Sequence, residues 1–220
     1  RLMGLVDGRA ISSPIISPEG DAIACIVDQS EVHVLTLDGS SSRVDRGAHA
    51  FVSDVVWWNG RPVWVGWNPP DMPWDRSELV SLDGSLGTAP HLQLNVTVVD
   101  VAGMSRADEP HEHGAPAWGE RQRSWCFDPS GERVAFVRNE DGFGRLCTLH
   151  LGTGRIVEHA KAVHAQLSWV GHTLVAIRTG GKTPTQVVAY DTRTDDWTRR
   201  TLMIGPSHDW AEHPSLVEPE

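Results

Sequence analysis

The chain has 220 residues and a formal net charge of −10, long enough for one domain or two small ones with a substantial buried core. The acidic balance excludes the concentrated basic surface that nucleic-acid binding requires. No apolar run approaches the roughly 18 residues of a membrane helix, so neither a nucleic acid nor a membrane is an expected partner.

Residues 1–13 carry Leu2, Met3, Leu5 and Val6 ahead of Gly8, a pattern open to a short helix or a leading strand. The first clear unit spans residues 15–39, with ISPEGDAIACIV followed by EVHVLTLDG. In the second half Val32, Val34 and Thr36 share one face of a strand, and His33, Leu35 and Leu37 share the other. Asp38-Gly39 supplies the hairpin turn leading onward. The second unit, residues 51–84, pairs the strand VWVGWN with the loop Pro69-Pro70-Asp71-Met72-Pro73-Trp74-Asp75. Three prolines stiffen that loop. One aromatic and two carboxylates on a stiff loop suit a ligand or domain contact. A tryptophan capping the sheet edge is an equal alternative.

A third unit shows only an outer strand, NVTVVDVAG at residues 95–103, and Gly84 to Gly103 is half the expected interval. Either this unit is degenerate or about 20 to 25 residues are missing from the chain near residues 85–103; the second is favoured, because half a unit leaves its neighbours' faces exposed. RADEPHEHGAPAWGERQRS then reads as loop, broken by Pro110, Gly114, Pro116 and Gly119. His111, Glu112 and His113 have the i, i+2 spacing of metal ligands on an extended segment, but no second pair matches them. A solvated loop, or a carboxylate that binds an ammonium group or a partner, is the preferred reading. The fourth unit, residues 124–151, contains the turn Asp128-Pro129-Ser130-Gly131, a strand through Val134 and Phe136, a turn at residues 139–142 and a second alternating strand. The fifth, residues 166–197, repeats the pattern with LSWVGHTLVAIR and QVVAYDTRTDD. After Leu202 the pattern stops, and a Pro-rich acidic tail follows.

Gly20, Gly60, Gly131 and Gly171 set the phase. Four residues before each lies Ile16, Val56, Phe127 or Leu167; three residues after lies Ile23, Val63, Val134 or Leu174. The intervals are 40, 71 and 40 residues. A period near 40 with two or more short strands per copy predicts an all-β fold, a β-propeller of four-stranded antiparallel blades, incomplete in this chain. Its blades would occupy residues 14–203, after a leading segment at 1–13 and before a connector at 204–220. The competing expectation is an irregular β-sandwich with glycine turns.

Cys25, Cys126 and Cys147 are odd in number and lie in or beside apolar runs, which points to buried thiols in a reducing cytoplasm. No catalytic residue emerges. Gly103-Met104-Ser105-Arg106-Ala107 and Gly205-Pro206-Ser207-His208-Asp209 lack the second glycine and the following helix of a nucleophile elbow. There is no phosphate-binding glycine loop and no CxxC pair, so neither cofactor nor metal is expected.

Several stretches resemble the propeller domain of the prolyl oligopeptidase family of serine peptidases, in its acylaminoacyl-peptidase and bacterial aminopeptidase-like branches. ISPEGDAIACIV and FDPSGERVAFVRNEDGFGRL resemble its repeated "SPDG" blades, a pattern shared with TolB-type propellers. VWVGWNPPDMPWDRSELVSLDG resembles the tryptophan-rich "MPWD" insert of that branch, and HEHGAPAWGERQRSW resembles a second block. The resemblance spans roughly residues 12–200 and implies a Ser-Asp-His triad on a separate α/β-hydrolase domain or chain, toward which residues 204–220 would lead. It also implies a propeller that gates short peptides or aminoacyl amides. An acidic residue would hold the substrate's free amino group, with Glu112 preferred over Glu109 and Asp71. Trp74 and Trp118 would wall the pocket, and Arg123 would orient a carboxylate or carbonyl. The other class of function is a stand-alone interaction scaffold of the TolB or WD-repeat kind.

Overall fold

The computed structural model describes residues 8–38, 41–44, 49–72, 78–81, 111–113 and 122–205. Among them are sixteen strands and no helix. Two compact units are present, one of Arg1–Arg106 with Pro116–Arg121, the other of Ala107–Ala115 with Gln122–Glu220.

In the first unit, β1 (Ile11–Ile16), β2 (Ala22–Val27), β3 (Glu31–Thr36) and β4 (Ser41–Val44) form an antiparallel sheet in chain order. A second sheet holds β5 (Phe51–Trp58), β6 (Arg61–Trp67) and β7 (Glu78–Ser81), also in chain order. Ala24, Ile26 and Val32 from the first sheet pack on Val52, Val55 and Trp64 from the second. Trp57 adds a polar tie, donating its indole N–H to the Ile15 carbonyl at 3.1 Å.

The second unit repeats the scheme. Its first sheet orders β12 (Ile156–Lys161), β11 (Phe143–His150) and β10 (Arg133–Glu140), with β8 (Glu112–His113) and β9 (Trp125–Phe127) both on the far edge of β10. Its second sheet runs β13 (Val163–Val170), β14 (Thr173–Thr179), β15 (Gln186–Asp191) and β16 (Thr198–Ile204). Ala135, Val137 and Leu146 pack on Leu167, Leu174 and Val188 to form the core.

Each sheet is finished before the next begins. That up-and-down order belongs to propeller blades, whereas a Greek-key sandwich would pass the chain back and forth between its sheets.

The recurring glycine corners have a shared chemical basis. Ser17 and Asp128, each three residues before its glycine, are buried at 4% and 6% exposure. Ser17 Oγ accepts from the Asp21 and Ala22 amides at 3.1 and 3.0 Å, and Asp128 Oδ1 accepts from the Glu132 and Arg133 amides, both at 2.9 Å. Gly20 and Gly131 then close the turn at φ of 76° and 73°, where a side chain is disfavoured. So the polar residue and the glycine together satisfy the amides that the reversal leaves unpaired.

Two details differ from the sequence expectation. The turn placed at residues 139–142 narrows to Asp141-Gly142, with φ of 52° and 93°, because two left-handed residues match the twist of the flanking strands. Asn139 and Glu140 therefore belong to β10. The His-rich stretch, read as loop, contributes β8, too short to show any periodicity. Gly39 and residues 85–103, including the gap inferred there, lie outside the described residues.

Candidate functional site

A cavity of about 380 Å³ opens in the first unit, at the seam where its two sheets meet. The first sheet contributes the start of β1, Ala10 to Ser13, and Gln29 from the β2–β3 turn. The second contributes Phe51 to Asp54, Trp67 and the Pro69–Met72 stretch.

Local hydrogen bonds fix each wall. Arg9 pairs with Asp28 at 2.6 Å and Glu31 at 2.9 Å, while the Ala10 amide donates to Asp28 Oδ1 at 2.9 Å. The start of β1 is thereby held against the β2–β3 turn. The hydrogen bond from Arg9 holds the Asp28 carboxyl below the ordinary range. Across the seam the Val52 amide donates to the Gln29 carbonyl at 2.8 Å. Phe51 and Trp67 are cross-strand partners, and their rings stack at 5.7 Å and 22°. The Asn68 carbonyl accepts from the Asp71 amide at 3.1 Å, and Asn68 Oδ1 accepts from the Ala50 amide at 2.6 Å. The loop after β6 is thus tied to the residue just before β5.

Backbone irregularity supplies the polar lining. β1 is bulged between Ser12 and Ile15, and β5 between Ser53 and Val56. The extra residues, Ser13 at φ 48° and Asp54 at φ 50°, sit in the left-handed region and line the cavity. Bulges re-aim side chains in this way and recur at functional edges.

Among the described residues the lining carries two carboxylates, Asp54 and Asp71, two stacked aromatic rings and no cationic side chain. A cavity of that chemistry suits a ligand cation. Carboxylates replace water around a desolvated ammonium group, and aromatic faces add to the attraction.

Of the residues singled out from the sequence, Asp71 lines this cavity. Glu112 lies on β8 in the second unit, in register with Asn139 of β10. Arg123, also in that unit, is exposed, and its carbonyl accepts from the Leu167 amide at 2.8 Å. Glu109, Trp74 and Trp118 lie outside the described residues. Asp54 escapes a reading of the sequence, although a carboxylate inside the otherwise apolar run FVSDVVWW is its visible signal. Among the described residues no group of three His, Cys, Asp or Glu side chains gathers at metal-binding distance.

The fold is a β-propeller. Solved propeller-bearing proteins superpose over most of the chain. One is a Mycobacterium tuberculosis puromycin-hydrolysing peptidase (TM-score 0.60, 20% identity), covering 92% of this chain and 38% of its own. Another is a mutant puromycin hydrolase complexed with PGG (TM-score 0.61, 19% identity), covering 97% of this chain and 40% of its own. A putative TolB from Agrobacterium tumefaciens also superposes (TM-score 0.57, 12% identity), covering 87% of this chain and 61% of its own. The chain therefore spans about two fifths of the length of the peptidases it resembles. No protein-family model and no curated protein matches it.

Proposed function

We propose that this chain is the non-catalytic propeller part of a cytoplasmic serine exopeptidase of the prolyl oligopeptidase family, of aminopeptidase or acylaminoacyl-peptidase type. It gates and helps bind short peptides or aminoacyl amides for a Ser-Asp-His hydrolase domain or chain. The observation that carries this reading is the seam cavity, in which Asp54 and Asp71 share a lining with the stacked rings of Phe51 and Trp67. The structural likeness to two puromycin-hydrolysing enzymes supports it. In this reading the cavity seats the α-ammonium group of a substrate. Glu112, Glu109, Trp74, Trp118 and Arg123 remain assigned to substrate binding on the resemblance of their sequence blocks.

The test is the active assembly carrying Asp71→Asn. KM for aminoacyl amides with a free amine should rise about tenfold, the order of one charge-assisted hydrogen bond, with kcat little changed. KM for N-acylated counterparts should stay the same. Equal effects on both substrate classes would remove the cavity from amine recognition. The likeness to TolB favours a second reading, a stand-alone interaction scaffold, which follows if no hydrolase accompanies the chain.

A further inference from the structure

The hairpin that joins β5 to β6 turns on two residues, Asn59 and Gly60, between the paired Trp58 and Arg61. Both have left-handed backbones, at φ 48° and 72°, as the mirror-image turn that fits the twist of antiparallel strands requires. Asparagine and glycine adopt that conformation most readily, so the local sequence selects the turn. The same pair sets up a reaction between its own members.

Asparagine is among the chemically labile side chains. Its amide carbon lies within reach of the next residue's backbone nitrogen, and a bond between them closes a five-membered ring. Three conditions favour closure. The nitrogen must carry a proton and be open to solvent, no side chain must crowd it, and the asparagine amide must be untied.

Asn59-Gly60 meets all three. Both residues are exposed, and even a Cβ built on Gly60 would meet nothing within 4 Å. The Gly60 amide enters no backbone hydrogen bond among the described residues, and the Asn59 side chain has no partner among them. The other described asparagines fail. Asn68 precedes Pro69, whose nitrogen carries no proton, and its Oδ1 accepts from the Ala50 amide at 2.6 Å. Asn139 is held inside β10, in register with Gly144, and is followed by Glu140. Asp141-Gly142 shares the turn geometry, at φ 52° and 93°, but offers a carboxyl carbon, the poorer electrophile.

We propose that Asn59-Gly60 is a self-modifying site at which the hairpin acquires an isoaspartyl link. The Gly60 nitrogen gives up its proton to solvent and bonds to Asn59 Cγ. The bond from Cγ to the side-chain nitrogen breaks, and that nitrogen takes a proton and leaves as ammonia. Water then opens the cyclic imide. Addition at the side-chain carbonyl gives an aspartyl residue, and addition at the main-chain carbonyl gives an isoaspartyl residue whose main chain is one methylene longer. Either product adds a negative charge. The longer main chain no longer fits a two-residue turn, so it works against the register of β5 on β6. Those strands carry Val52, Val55 and Trp64 into the core, which makes the first unit the part that is weakened. The proposal concerns the chain's own covalent chemistry and holds whether or not a hydrolase accompanies it.

The test ages the full folded chain in neutral and in mildly alkaline buffer, following released ammonia, intact mass and a peptide map. The expected result is replacement of one side-chain nitrogen by oxygen at Asn59, faster in the alkaline buffer, with isoaspartyl product present. Asn59→Gly, which keeps a two-residue turn open to glycine, should lose the conversion and the ammonia. Denaturant unfolding of the aged chain should show a lowered midpoint against fresh protein, and aged Asn59→Gly should show no such drop. An Asn59 that stays intact while ammonia appears from other residues, or while none appears, overturns the site. Ammonia release undiminished in Asn59→Gly overturns it equally. Conversion with an unchanged unfolding midpoint overturns the weakening of the first unit.

Discussion

Two histidines in the second unit, His164 buried and His159 half-buried, are held neutral chiefly by loss of solvent. His164 is 4% exposed, and its Nδ1 lies 2.9 Å from the Ala162 carbonyl, so that nitrogen carries the proton. Nε2, 2.7 Å from Tyr190, then accepts from the hydroxyl. His159 repeats the arrangement, with Nδ1 donating to the Asp195 carbonyl at 3.1 Å and Nε2 accepting from Thr148 at 2.7 Å. Its ring stacks on Trp197 at 3.7 Å. Burial pushes both down to about 4, and nearby cations reinforce the shift: Arg178 and Arg199 at His164, Arg133 and His150 at His159. Unfolded, each titrates near 6.5. Between those values the unfolded chain binds more protons, so their contribution is complete above about pH 6.5 and lost as pH falls toward about 4. His164 contributes of the order of 1–3 kcal/mol, and the half-buried His159 less, because solvent screens it. Thermal unfolding should therefore show Tm falling across that window, and a His159→Gln, His164→Gln double variant should flatten the profile. An unchanged slope in the double variant would show that other groups carry the acid sensitivity.

Asp128 acts at the same scale. Burial works to raise its pKa, but hydrogen bonds from the Arg133 backbone, Ser130 and the Arg133 side chain outweigh it, leaving the carboxyl lowered. Its Oδ2 accepts from Arg133 Nε at 3.2 Å, and the same guanidinium lies 4.8 Å above the Trp169 ring. Asp128→Ala strands two amides and should cost about 1–3 kcal/mol in denaturant unfolding. Loss below about 0.5 kcal/mol would mean that water replaces the carboxylate at no cost.

At the scale of elements, close packing depends on what a strand end can tolerate. A Cβ on Gly144 would sit 2.6 Å from the Ala162 carbonyl oxygen. Gly144→Ala forces Ala162 away and should destabilise the second unit by about 1–3 kcal/mol, read as a lowered denaturant midpoint. Gly152, where a methyl group would meet nothing within 4 Å, is the control that should tolerate alanine. The hairpins are legible in the sequence because Pro, Gly and Asp mark their corners and apolar alternation marks their strands. The bulges at Ser13 and Asp54 are not, since an extra residue in a strand leaves no compositional trace and depends on the partner's register. For the same reason Asp71 stands out on its stiff loop while Asp54 does not. β8 is hidden by its length, two residues pairing with Arg138 and Asn139.

For the whole molecule, the phase of four glycines is enough to foresee a propeller, because each corner feeds a strand whose two faces must both be covered. β2 has five of its six residues buried, and β10 and β11 are likewise buried through their middles. What the sequence leaves open is the chemistry of the first unit's seam, where Asp54 of β5 and Asp71 of the loop after β6 are brought into one lining by strand pairing. The three cysteines fit the core reading: Cys25 and Cys147 are buried, Cys126 is partly buried, and burial pushes the Cys126 and Cys147 thiols up to about 12. Unreactive thiols of this kind should resist alkylation in the folded protein.

The central claim is that a serine hydrolase works beside this propeller. Its most direct test is labelling of the native assembly, captured through this chain, with a fluorophosphonate probe followed by intact-mass measurement. The account predicts one labelled serine in a Gly-x-Ser-x-Gly segment of an α/β-hydrolase, either continuous with this chain or bound to it. Capture of the intact native protein with no labelled serine, and no hydrolysis of aminoacyl amides, would contradict it.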